Sequence, residues 1–111
     1  LAPTLPSYVV SISACEKGAR WQEALNLWLD IWSHRLEPSV QVGAAVVSAC
    51  EKGSQWQEAL GTFSNIRRRL LQPNVVAYNS AISACEKGAQ WQEAVNMLSI
   101  MRWHQLEPDV I

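Results

Sequence analysis

The residues with the most reactive side chains in this sequence are three cysteines, Cys15, Cys50 and Cys85, which follow one another at intervals of 35 residues. Thiolates bind zinc or form disulfides only when they lie close together. Their even spacing suggests that each cysteine belongs to one copy of a repeated unit. Equivalent atoms of stacked units lie about 10 Å apart, as packed helix axes do, whereas a disulfide tolerates a Cα separation of about 7 Å. We therefore interpret the cysteines as small buried hydrophobic residues.

The histidines offer no metal site or catalytic group. His34 and His104 occupy equivalent positions, but Arg69 stands at the position between them. The sequence has no glycine-rich phosphate loop and no arrangement of nucleophile, base and acid. It therefore predicts no enzymatic activity, no metal and no cofactor within residues 1–111.

The spacing of these residues belongs to an internal repeat. The stretch SACEKGAQWQEAV at residues 83–95 has near-copies at residues 48–60 and 13–25. A repeat period between 20 and 50 residues indicates a repeat architecture. The prolines Pro3, Pro38, Pro73 and Pro108 keep the same step, and the chain opens at the same place in the repeat. The sequence is therefore expected to be a segment of a longer array.

Each unit is predicted to contain two short helices. Asn74 is a good N-cap residue, as are Thr4, Ser39 and Asp109 at the equivalent positions. Apolar residues follow at steps of three and four, from Tyr78 to Cys85, until Gly88 ends the helix by adopting the left-handed conformation. A second helix begins near Gln90 and has an apolar face of its own, which starts at Trp91.

Two short helices with one apolar face each cannot bury those faces within one unit, so neighbouring units must stack. The predicted fold is an all-α α-solenoid. Its units are 5–39, 40–74 and 75–109, with residues 1–4 and 110–111 assigned to flanking repeats.

The middle unit departs from this pattern at Gly43, which stands where the other units have Tyr8 and Tyr78. An interior glycine costs a helix about 1 kcal/mol relative to alanine. It also removes the aromatic contact, so we expect the first helix of this unit to fray most easily.

The composition excludes several classes of protein. With 49% hydrophobic and 17% charged residues, the chain is globular in type. A net charge of −1 lacks the strongly basic character of many nucleic-acid binders. No apolar run approaches the length needed to cross a bilayer, and no N-terminal stretch has the layout of a signal or transit peptide.

A unit of 35 residues that opens with VVAYNSAISAC and continues with KGAQWQEAVNMLSIMRWHQLEPD resembles the pentatricopeptide repeat. The resemblance is best in residues 75–109 and extends over three consecutive units. It implies a right-handed superhelix that binds single-stranded RNA, with one base per unit. It also implies a monomeric factor for RNA processing in mitochondria or chloroplasts, without DNA or membrane binding.

In this family, base choice is set by a polar residue of the first helix together with the last residue of the unit. The third unit presents Asn79 with Asp109, a pair associated in the family with uracil. The other pairs are Ala44 with Asn74 and Val9 with Ser39, and the base-flanking positions are Val76 and Gln41. The methyl group of Ala44 and the isopropyl group of Val9 cannot hydrogen-bond a base, so only the third unit has a clear base preference.

The residue spacing is compatible with this arrangement. Val76, Asn79, Ser83 and Glu86 share a helix face that differs from the face of Tyr78. An amide on that face can hydrogen-bond a base edge while a neighbouring aliphatic side chain flanks the base.

Lys17, Lys52 and Lys87 recur near the ends of the first helices and would form a ladder suited to phosphates. Alternatively, each lysine only complements a helix dipole, and the adjacent glutamates Glu16, Glu51 and Glu86 weaken any positive track.

Two other groups of residues have a nucleic-acid interpretation and a structural one. Tryptophans can stack on bases, but Trp21, Trp56 and Trp91 begin the apolar faces of second helices, which favours core packing. The only basic run, residues 67–69, lies late in a second helix, where a solvated outer face is favoured over a nucleic-acid patch.

Two functions from different classes remain. The first is RNA binding by a repeat array. The alternative is a helical scaffold that binds a peptide or protein along the same groove, which the near-neutral charge and the two units without a base-reading side chain favour. Strong salt dependence of binding would indicate RNA, because neutralised phosphates release counterions.

Overall fold

The computed structural model describes residues 4–69 and 72–103. The described residues form six α-helices of 13 residues each and no strand. The helices are α1 (Leu5–Lys17), α2 (Trp21–Ser33), α3 (Val40–Lys52), α4 (Trp56–Arg68), α5 (Val75–Lys87) and α6 (Trp91–Trp103). Among these, no helix has the length and apolarity that crossing a membrane requires.

The first helices begin directly after the predicted N-cap residues, and two of those residues act as caps. The side chain of Asn74 accepts a hydrogen bond from the backbone N–H of Ala77 at 2.9 Å, and that of Ser39 accepts from Val42 at 3.4 Å. Thr4 makes no such bond. The prediction for Asp109 falls outside the described residues.

The turn between the two helices of a unit is a Schellman motif, and its left-handed residue is not the glycine. Gly18, like its equivalents, has a negative φ, and the following residue, Ala19, has a φ of 54°. The backbone N–H of Arg20 then bonds the carbonyl of Cys15 at 2.8 Å. Ser54 and Ala89 occupy the same left-handed position in the other units. The prediction that glycine ends the helix by adopting this conformation is therefore wrong.

In the second and third units the glycine is needed because a tryptophan of the preceding unit lies against it. A Cβ atom added to Gly53 would overlap Cδ1 of Trp21 and lie 3.1 Å from Cγ. A Cβ on Gly88 would overlap the Trp56 ring in the same way. These contacts join the second helix of one unit to the turn of the next.

The helices form two layers that follow from this stacking. In the first layer α3 packs between α1 and α5. In the second layer, α2 packs on α1 and α3, α4 packs on α3 and α5, and α6 packs on α5. The apolar faces of the first five helices are thus covered partly within their own unit and partly by a neighbouring unit, as expected for an all-α α-solenoid.

The core is densest around α3, where seven residues are buried. Gly43 lies at a close approach, because an added Cβ would be 2.7 Å from Cδ1 of Ile66 and 3.1 Å from Cη2 of Trp28. Gly43 removes a tyrosine from α3, but Trp28 of α2 supplies an aromatic ring at the same place. Early fraying of α3 stays a prediction, but the packing around it argues against it.

The predicted burial of the tryptophans and cysteines is confirmed for some positions only. Trp21 and Trp56 are partly buried against the core, whereas Trp91 is 69% exposed. Core packing is therefore wrong for Trp91, because no further turn glycine covers its ring among the described residues. Cys50 is buried and Cys15 is partly buried.

Candidate nucleic-acid interface

The residues assigned to base contact lie along the first-helix layer and differ widely in exposure. The side chain of Val76 is 54% exposed and that of Val9 is 39% exposed, while Asn79 is partly buried. Gln41 is exposed. Ala44 is only 2% exposed, so its methyl group offers a base almost no surface.

Asn79 is the base-reading candidate with hydrogen-bonding capacity. Its Oδ1 atom is buried and accepts no hydrogen bond from the described residues. The preceding residue, Tyr78, packs edge-on against Phe63 with ring centroids 4.9 Å apart, which anchors this part of α5. An amide carries both donors and acceptors; because Oδ1 is buried in this conformation, the N–H groups are what Asn79 can offer to the polar edge of a base.

The residues that end the first two units already use their side chains. Ser39 and Asn74 cap α3 and α5 by accepting backbone hydrogen bonds. An asparagine that accepts through Oδ1 still has its amide N–H groups to donate. Asn74 can therefore cap the helix through Oδ1 and at the same time donate a hydrogen bond to a base through its amide N–H groups. Asp109, the proposed partner of Asn79, lies outside the described residues.

Two of the three lysines assigned to phosphate contact are paired with carboxylates of the preceding unit. Lys87 Nζ lies 2.5 Å from Glu51 Oε2, and Lys52 forms the equivalent ion pair with Glu16. The side chains of both lysines are about two-fifths exposed, at 40% and 44%. Along the stacked units, each of these two lysine charges is therefore accompanied by a carboxylate of opposite charge. Lys17 is exposed.

The same two carboxylates also contact serine hydroxyls. Ser83 Oγ donates to Glu51 Oε2 at 3.1 Å, and Ser48 Oγ approaches Glu16 Oε2 at 3.5 Å. Each glutamate thus contacts a serine and a lysine of the following first helix. This pairing was not predicted from the sequence. The signal was present, since the glutamates, serines and lysines all recur with the 35-residue period.

One residue of the basic run has a specific contact. The Arg69 guanidinium lies 4.3 Å from the centre of the Trp32 ring, and its Nε–H donates to Asn65 Oδ1 at 3.4 Å. Arg67 and Arg68 are exposed on α4. Arg69 therefore contributes to packing between units, while the other two fit the expected solvated face.

The cysteines lack the properties of reactive or metal-binding thiols. Burial raises the pKa of Cys50 to about 12, with a smaller contribution from Glu58, and burial also raises the pKa of Cys85. A thiolate is the form that attacks substrates or binds metals, and these environments disfavour it. Within residues 4–69 and 72–103, no group of histidine, cysteine and acidic residues could hold a metal ion.

Stacked two-helix units with a continuous first-helix layer define the class of helical-repeat proteins, the α-solenoids. The model of the pentatricopeptide repeat domain matches residues 30–88, and the model of the PPR repeat matches residues 76–106. The chain therefore belongs to the pentatricopeptide repeat family.

Solved structures agree with this assignment. The chain is similar to the crystal structure of the pentatricopeptide repeat protein PPR10 from maize, with a TM-score of 0.83 and 27% identity. It is also similar to PPR10 in complex with an 18-nt psaJ RNA element, with a TM-score of 0.80 and 27% identity. Both matches cover 98% of this chain and 16% of the other, so the chain spans about one-sixth of their length. No curated protein matches the chain.

Proposed function

We propose that this chain binds single-stranded RNA along its first-helix layer. The observation that carries the proposal is the similarity to PPR10 in its RNA complex, which extends over 98% of this chain. At 27% identity this likeness includes sequence as well as fold. The face formed by α1, α3 and α5 is the continuous surface on which consecutive bases can meet equivalent residues of consecutive units.

Within this function, Asn79 is the residue that reads a base. Its partly buried amide can hydrogen-bond the edge of a uracil, with Asp109 completing the pair, while the exposed Val76 flanks the base. Val9 and Ala44 have no hydrogen-bonding group, so their units contribute position along the strand and little base choice. The segment is therefore expected to have a strong base preference at one nucleotide position at most.

The role of the parent protein follows from the family. We infer a factor for RNA processing, stability, editing or translation in a mitochondrion or chloroplast. The array acts by binding RNA as a monomer and needs no metal or cofactor of its own. Any chemistry on the RNA would come from another domain or protein.

A fluorescence-anisotropy titration tests the proposal. Single-stranded RNAs that differ only at the nucleotide expected under Asn79 are compared for the chain and for Asn79→Ala. A base-edge hydrogen bond contributes about 0.5 to 1.5 kcal/mol, so we expect an about 2- to 13-fold preference for uracil that the substitution removes. Asn26→Ala is the matched control, because Asn26 is exposed on the outer helix α2. No binding of any RNA at low salt would refute the function.

One observation favours a different partner. The ion pairs of Lys52 and Lys87 with glutamates leave the first-helix layer with little net positive charge. Such a surface also suits an extended peptide, which needs no counterion release. In that case a peptide would bind with little dependence on salt, and the RNA titration would remain flat.

A further inference from the structure

We infer that Glu16 and Glu51 compete with RNA phosphates for Lys52 and Lys87, and that they thereby lower the affinity of this chain for RNA of any sequence. The inference rests on the proposed RNA binding. It assigns a role to two acidic residues that are not among the proposed base-reading and base-flanking residues.

The geometry at the second unit boundary shows how completely Lys87 is engaged. Its ammonium group lies 2.5 Å from Glu51 Oε2 and donates to the Glu51 backbone carbonyl at 3.1 Å. A lysine has three N–H donors, so two of them already have acceptors. The side chain of Glu51 is only 14% exposed and is fixed by Ser83. The carboxylate is therefore built into the interface.

The first unit boundary repeats this arrangement. Lys52 pairs with Glu16, whose carboxylate also lies near the hydroxyl of Ser48. The same three residue types meet at both boundaries, although the Glu16 side chain is more exposed, at 24%. Because two independent copies show the pairing, it is a property of the repeat and not of one site.

The electrostatic consequence is a weakened phosphate track. Both lysines remain about two-fifths exposed, so a polyanion can reach them. A carboxylate in direct contact neutralises most of the lysine charge that a phosphate would meet, and it repels the phosphate. Phosphate contacts carry no sequence information. Their suppression lowers binding to every RNA alike and leaves the base contact at Asn79 with a larger share of the total affinity.

The test compares Glu51→Gln with Glu86→Gln in the full chain. Both substitutions remove one negative charge at the same position of the repeat, but Glu86 pairs with no lysine among the described residues. For single strands, each phosphate contact makes the slope of log affinity against log salt concentration more negative by about 0.7. We therefore expect Glu51→Gln to raise RNA affinity, with a gain about 2.5-fold larger at 50 mM than at 200 mM salt. Glu86→Gln is expected to change the slope much less.

A lysine removal identifies the source of the gain. In Glu51→Gln with Lys87→Gln, the increase in affinity and the steeper salt slope should both disappear. The gain should also be the same for uracil-containing and uracil-free RNAs. Glu16→Gln, alone and with Lys52→Gln, provides a second and independent pair if the first set folds poorly by circular dichroism.

The outcomes separate the inference from the proposed function. If the unsubstituted chain binds RNA and Glu51→Gln behaves like Glu86→Gln, the inference is wrong and the function stands. A gain that persists without the lysine, or a loss of affinity in folded Glu51→Gln, also overturns it, the latter because the glutamate would then position the lysine for phosphate. If no variant binds RNA, the proposed function fails and the inference fails with it.

Discussion

The glycines that follow α3 and α5, Gly53 and Gly88, are required for the space they leave, since their backbone conformation is open to any residue. Gly53 has a φ of −85°, and the left-handed residue that follows it is Ser54. The missing side chain allows the Trp21 ring to lie directly on the turn. At Gly18 an added Cβ would meet nothing closer than 3.5 Å. The same residue type at the same repeat position is thus constrained in one unit and free in another.

We predict that Gly53→Ala lowers the free energy of unfolding by about 1 to 3 kcal/mol, the usual cost of overpacking. Gly18→Ala, its matched control, should change it by less than about 0.5 kcal/mol. Urea unfolding followed by circular dichroism measures both. In a Trp21→Ala background the cost of Gly53→Ala should vanish, because the two residues form one contact. Equal effects at both glycines would show that the backbone, and not the tryptophan, requires the residue.

At the level of elements, α3 illustrates how packing overrides helix propensity. Its interior glycine is unfavourable for an isolated helix. In the array, however, α3 contacts α1, α2, α4 and α5, and Gly43 lets Ile66 and Trp28 approach it. The close approach replaces the tyrosine that the other units carry at this position.

Gly43→Ala should therefore destabilise the protein by about 1 kcal/mol, although helix propensity alone predicts a gain of that size. The added methyl group would lie 2.7 Å from Cδ1 and 2.9 Å from Cγ1 of Ile66, which is fully buried, so this side chain would have to shift within the core. Gly61→Ala is the control, since Gly61 is exposed on α4 and its Cβ would meet nothing within 4 Å. It should stabilise the protein by about 0.5 to 1 kcal/mol. Thermal unfolding measures both, and a stabilising Gly43→Ala would contradict the packing argument.

The whole molecule is a one-dimensional stack in which each unit depends on its neighbour. Trp56 joins the second unit to the turn of the third at Gly88. Trp91 has the same sequence context but is 69% exposed. These two tryptophans therefore separate the contribution of stacking from that of the side chain itself.

Trp56→Ala should uncouple the third unit from the rest. We expect a loss of about 2 kcal/mol in the free energy of unfolding, since burial of the ring is only partial. In native-state hydrogen exchange, α5 and α6 should lose protection while α1 keeps most of its own. Trp91→Ala should change stability by less than about 0.5 kcal/mol. Uniform loss of protection in all six helices would instead indicate that the array unfolds as one unit.

The sequence by itself was sufficient for the two-helix unit and for the solenoid. Helix starts at Ser39 and Asn74, and helix ends before Gly53 and Gly88, depend on capping groups a few residues away. The 35-residue period required that units stack, because neither helix can bury its apolar face within one unit. These features are local or periodic, and the sequence displays them directly.

Only the tertiary structure decided how residues of neighbouring units meet. It placed Trp21 on Gly53, paired Glu16 with Lys52 and buried Ala44 at a position assigned to a base. It also left Trp91 exposed where its equivalents are covered. The physical reason is that these contacts join residues about 30 to 40 positions apart, whose approach is set by how one unit packs on the next. Residue types and spacing indicate that such contacts exist, but the packed geometry determines which atoms make them.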